Sequence, residues 1–127
     1  MKAQYARLFA DEGGTPRIED LDIELFPGLA VPPAEPLHTA PFLMPEGPTF
    51  WVGALPDWGG SEPHPAPRRM IFMTVRGEYE VTTAEGATRR FPAGSVLLVE
   101  DTTGDGHSTR ITSAEECIVL AIGLAPV

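Results

Sequence analysis

Three histidines, His38, His64 and His107, are the side chains of this 127-residue chain best suited to trading protons or holding a metal near neutral pH. His64 opens the stretch 62-EPHPAPRRMIFMTVRGEYEV-81. Strand alternation puts Met70, Phe72 and Thr74 on one face, and stepping back by twos adds Arg68, Ala66 and His64. If that face points inward, an imidazole and a guanidinium share an apolar interior. His107 follows 101-DTTGDGH-107, where Gly104 and Gly106 admit tight backbone geometry and Asp101 and Asp105 favour local turn bonds. Such a loop can aim His107 back at the sheet just left. Two facing imidazoles can take a proton from one atom of a substrate and return one to another. Arg68 would hold a carboxylate, enolate or phenolate in a two-pronged grip. The plain alternatives are a hydrogen-bonded, inert His64 at a strand start and a His107 on a surface turn.

Other chemistries are poorly served. Cys117 lies in the apolar run CIVLAIGL and reads as a small buried hydrophobe rather than a nucleophile. There is no G-x-S-x-G and no phosphate-cradling glycine loop. A net charge of −9 opposes binding to phosphate backbones, so nucleic acid is not an expected partner. The start, MKAQYARLFADEGG, has no apolar signal-like stretch, and no apolar run is long enough to span a membrane. The expectation is a cytoplasmic protein without a membrane partner. Phe50, Trp51 and Trp58 flank the segment just before the histidine strand and are candidates for a stacking surface at the mouth for a planar ligand, with core or interface filling as the plain alternative.

The elements that must position these groups are short strands. Length and composition fit one domain, residues 1–127, with a single core. Residues 1–61 hold extended pieces near 5–9, 21–26 and 49–55, joined by a proline-rich arm that should wrap the outside, because proline cannot donate to an inner ladder. Residues 62–124 carry the motif-bearing core. There MIFMTVRGEYEV reads as two strands bent at Gly77, VTTAEGATRRF as a hairpin turning at Glu85-Gly86, and FPAGSVLLVED as a turn into an apolar strand. HSTRITSA and CIVLAIGL complete about nine strands at roughly 8–12-residue spacing, the pattern of an all-β barrel or sandwich.

These segments resemble the cupin superfamily, a double-stranded β-helix or jelly-roll barrel with two motifs. His64 stands at the first motif's leading histidine, and Gly77 with Glu78 at its closing glycine. Gly94 before SVLLV stands at the start of the second motif, and His107 at its histidine after a lengthened turn, with Glu100 where proline is usual. The resemblance implies a jelly-roll barrel whose interior, lined by His64, Arg68, Met70, Phe72, Leu97 and His107, takes a small ligand, and it implies a homodimer. Metal-binding cupins use three histidines and a glutamate. Ala66 and Met70 occupy two of those places here, so the cofactor expectation is none or a weakly held divalent ion. His38 would complete a three-imidazole set with His64 and His107 if the arm folds over the mouth, with Glu46 or Asp101 as a carboxylate. Metal-free cupins include sugar epimerases. Three readings follow: an acid–base isomerase, epimerase or cyclase for a small anionic or aromatic metabolite, with His64, His107 and Arg68 as catalytic groups; a metal-dependent dioxygenase or isomerase; and a non-catalytic binding or structural module.

Overall fold

The computed structural model describes residues 1–60 and 62–126, and they form strands, turns and bends with no α-helix. Eleven strands follow in order: β1 (Lys2–Ala10), β2 (Pro16–Glu24), β3 (Phe26–Leu29), β4 (Leu37–Thr39), β5 (Pro45–Ala54), β6 (Met70–Arg76), β7 (Glu78–Thr83), β8 (Thr88–Pro92), β9 (Val96–Val99), β10 (His107–Ile111) and β11 (Cys117–Leu124). The expectation of an all-β chain holds. No helix among the described residues is long and apolar enough to cross a membrane.

One sheet has six strands in the order β2-β1-β9-β6-β11-β5, a second has three in the order β10-β7-β8, and among the described residues β3 and β4 pair only with each other. The two larger sheets face across the main core. The first contributes Ala6, Leu8, Leu97, Val99, Cys117 and Val119, and the second contributes Tyr79, Val81, Phe91 and Ile111. Period-2 alternation produces this: in β11, Cys117, Val119 and Ala121 are buried while Ile118, Leu120 and Ile122 are only half-buried on the other side. Burying a side chain such as Leu8 or Val81, almost fully sealed from water, contributes about 1.5–3 kcal/mol each.

The first half of the chain does not wrap a body built by the second. β1 lies inside the large sheet, with Ala6 opposite Leu97 in parallel pairing, and β5 pairs along β11 with Val52 opposite Val119. β1 contains no proline, and its alternation buries Ala6 and Leu8. Pro45 and Pro48 sit in β5, an edge strand, where the missing amide donor is tolerated. Only the β3–β4 hairpin, exposed at every strand residue, behaves as an arm.

Two features place the motif residues. Gly106 has φ 78°, and a side chain there would collide with the His64 carbonyl. The bare Cα therefore lets the His64–Pro65 peptide pass against the loop. Glu100, immediately after β9, takes hydrogen bonds from Arg7 Nε at 2.6 Å and from Arg69, tying β1, β9 and the approach to β6 together. Burial alone would push the Glu100 carboxyl upward, but these two guanidinium bonds outweigh it and hold its pKa below the ordinary value.

Candidate functional site

His64 and His107 form an antiparallel bridge. The His64 amide donates to the His107 carbonyl at 2.9 Å, and the His107 amide donates to the His64 carbonyl at 3.0 Å. The two imidazoles follow from this pairing, with centroids 5.7 Å apart and planes tilted by 33°. They stand at one end of a cavity of about 360 Å³ between the two sheets, a size at the small end of ligand pockets.

The two rings differ in surroundings. His64 is exposed at the mouth, its Nδ1 3.3 Å from the Glu62 carbonyl oxygen. His107 is buried, and its Nδ1 hydrogen-bonds Oδ2 of Asp101, whose side chain is wholly sealed from water. Asp101 is fixed in turn, because its carbonyl accepts the Ala66 amide at 3.0 Å. A carboxylate at Nδ1 favours the tautomer with the proton there, which leaves Nε2 as the basic nitrogen. Asp101 Oδ1 has no hydrogen-bond partner among the described residues, so the carboxylate is committed to the imidazole.

The cavity wall is apolar with few polar groups. Met70, Phe72 and Leu97 line it, as the strand phase from the sequence requires. Tyr79, stacked on Phe91 at 5.1 Å, lines it too, and its hydroxyl is buried without a hydrogen-bond partner among the described residues. Burial pushes that phenol's pKa up against a smaller opposing pull from Thr74, so the hydroxyl stays protonated and able to donate. Cys117 also lines the cavity. Burial raises its thiol pKa, which makes it a wall atom rather than a nucleophile.

Three expected site residues stand elsewhere. Arg68 does not line the cavity. The alternation fails before Met70, because β6 begins only there and residues 67–68 bend. The Arg68 guanidinium instead donates from Nη2 to the Glu46 carbonyl at 3.1 Å. It rests on Gly47 and Gly123, where side chains would crowd it, so it clips the start of β5 to the end of β11. Trp51 pairs with Leu120 on the opposite side of β5 from the cavity and is 65% exposed. Trp58, just beyond β5, lines the cavity instead. His38 lies on the exposed β3–β4 hairpin, in β4 opposite Pro27, so it does not join the other two imidazoles as a third ligand. Among the described residues no group of three or more histidine, cysteine, aspartate or glutamate side chains is arranged to hold a metal ion. The nearest carboxylate, Asp101, is engaged by His107. The donor set does not fit a divalent ion.

By sequence Asp101 reads as a turn former or a metal carboxylate, whereas in the structure it is the partner that orients His107. Thr109 and Tyr79 are wall residues that the sequence does not single out, whereas Trp58, one of the three aromatic stacking candidates, does line the cavity. Alternation along β10 from His107 to Thr109 and Ile111 carried part of that signal.

No family model matches the chain, and no curated protein matches it. Among solved structures, protein NMB1881 from Neisseria meningitidis is similar over 68% of this chain and 89% of its own, with a TM-score of 0.44 and 20% identity.

Proposed function

We propose that this chain binds a small aromatic carbonyl compound between its two sheets and moves protons on it, as an acid–base isomerase, epimerase or cyclase of the cupin kind. The observation that carries the proposal is the pairing of His64 with an Asp101-held His107 at the end of an apolar cavity. The jelly-roll reading belongs with it: the strands bearing RGEYEV and FPAGSVLLVED flank that cavity, and the motif histidines meet at its mouth. With Arg68 clipped to Glu46, no arginine among the described residues lines the cavity, and the aromatic half of the expected substrate class is retained over the anionic half.

The chemistry needs no further group. His107 Nε2 takes a proton from the carbon beside the ligand carbonyl. The C–H electron pair becomes the C=C bond of an enol while the carbonyl π pair moves to oxygen, which takes a proton from His64. Asp101 stabilises the imidazolium so formed. Return of a proton at the same or a neighbouring carbon regenerates the carbonyl, with the opposite configuration or a shifted double bond. His64, exposed at the mouth, re-equilibrates with water.

The test is α-proton exchange of aryl ketones in D2O, 2-tetralone first, followed by proton NMR. The expected result is exchange about 100-fold faster than with an equal concentration of free imidazole, falling to the imidazole rate in His107→Ala. Binding without acceleration would leave the non-catalytic module as the correct reading. Absence of both would overturn the proposal.

A further inference from the structure

The side of the sandwich between β5 and β10 has no ladder across it. Both are edge strands, β5 laddered to β11 and β10 to β7. Both nevertheless line the cavity, through Val52, Gly53 and Ala54 on one and His107, Thr109 and Ile111 on the other. The chain that leaves β5 covers this gap. Trp58, His64 and Ala66 line the cavity from it, so residues 55–60 and 62–66 form a strap over the open side.

The strap is fastened along β10 at two points. The Gly60 amide donates to the Thr109 carbonyl at 3.2 Å and the Ile111 amide to the Trp58 carbonyl at 2.8 Å. Together with the two His64–His107 bonds these make a pair of isolated bridges rather than a strand. Pro63 and Pro65, on either side of His64, have no amide with which to extend the second bridge. Each bridge depends on a missing side chain. Gly106 lets the His64 carbonyl pass, and a Cβ on Gly59 would stand 2.7 Å from the Arg110 Cβ.

The ends of the strap are pivots. At the β5 end the Trp58 amide donates to the Leu55 carbonyl at 3.1 Å around Pro56 and Asp57, whose φ of 66° is left-handed. Proline followed by a left-handed residue is the type II turn pattern. At the other end the Ala66 amide bonds the Asp101 carbonyl just before the bends at 67–68. Between the pivots, residues 55–60 and 62–65 are exposed. A segment with little apolar burial and solvent-facing backbone bonds belongs to the part of a fold that opens most readily.

We infer that this strap is the door of the cavity: it leaves β10 to admit a ligand between β5 and β10, and on closing returns His64 to His107 and Trp58 to the wall. Opening dismantles the imidazole pair, because His64 travels with the strap while His107 stays on β10. Trp58, 55% exposed while it lines the cavity, gives the closed door an aromatic inner face suited to a planar guest. On the acid–base reading, on which this last consequence rests, proton transfer is confined to the closed state.

Amide exchange of the full chain, read residue by residue by NMR, tests the motion without a ligand. The Gly60, His64 and Ala66 amides, and the His107 and Ile111 amides that donate to the strap, should be at least about 100-fold less protected than those of Val81 and Val119. Equal protection throughout, declining in parallel with urea, would mean that the strap opens only with the whole fold and would overturn the inference. Toluene, an aromatic with no carbonyl to activate, tests the entrance through its association rate, read from NMR line shapes. Gly59→Ala, which crowds the strap away from β10, should raise that rate about 10-fold by enlarging the open population, with Val119 protection unchanged. An unchanged rate in a variant whose strap amides have lost protection would place the entrance elsewhere and overturn the inference. Toluene entering neither protein would overturn it too. If Gly59→Ala does not fold, the wild-type exchange pattern decides. Two results separate the door from the acid–base reading. Toluene entry in step with strap opening, without faster exchange of 2-tetralone, removes only the acid–base reading. Faster exchange of 2-tetralone with strap amides as protected as Val119 removes only the door.

Discussion

His107 owes its role to Asp101. An imidazole with one nitrogen fixed against a sealed carboxylate can present only the other, and the carboxylate also stabilises the charge gained on protonation. Asp101→Asn should therefore reverse the tautomer, since the amide can donate where the carboxylate accepted; nitrogen-15 NMR of the His107 ring should show the proton moving from Nδ1 to Nε2. An unchanged pattern would mean that Asp101 does not set the ring. Gly106 matters for a different reason. Its φ of 78° and its closeness to the His64 carbonyl leave no room for a methyl group. Gly106→Ala should cost at least about 2 kcal/mol, combining a left-handed backbone with a backbone collision, and should abolish contacts between the two rings in NMR. Denaturant unfolding measures the first and nuclear Overhauser effects the second. At this scale the sequence was half legible. His64 and His107 are legible by type and strand phase, but the bond from Asp101 to His107 is not, because the loop between β9 and β10 sets its direction and no period constrains it.

The elements are held by ion pairs as well as by apolar burial. Glu100 with Arg7 and Arg69 joins β1, β9 and the start of β6. Its carboxyl has a lower pKa in the folded chain than the ordinary 4.5, so the unfolded chain takes up the proton first. Its stabilisation is therefore fully present above the ordinary carboxylate range and lost as pH falls below it, through the folded value. Glu100→Gln should lower stability by about 2 kcal/mol at pH 7 and flatten the decline between about pH 5 and pH 3, read from urea unfolding at each pH. A decline equal to wild type would remove Glu100 from that role. Arg68→Ala should lower stability without changing ligand affinity, since its guanidinium clips β5 to β11 away from the cavity. The strands themselves were legible because apolar alternation is local. The error at Arg68 was also local: Pro65 and Pro67 interrupt the period, and a phase carried back through them has no ladder to hold it. The proline-bearing strand β5 stays at an edge, as the missing amide donor requires, and the part of the first half that lies inside the sheet is the proline-free β1.

Across the whole molecule, the two halves of the chain interleave in one sheet, with Ala6 beside Leu97 and Val52 beside Val119. Pairings so distant in sequence leave no local periodicity, which is why composition and turns gave the all-β class but not the strand order. The same interleaving creates the cavity: β5, β6, β9 and β11 form one wall, β7 and β10 the other, and the His64–His107 bridge stands at its mouth. Everything proposed for function depends on that space admitting a guest. The direct measurement is an isotope-filtered nuclear Overhauser spectrum of the methyl-labelled chain with 2-tetralone. An open cavity yields contacts from the ketone to the Val81 and Val119 methyls and to the His107 ring together. Contacts confined to outer residues such as Trp51 and Leu55, or none at all with the ketone in excess, would contradict it.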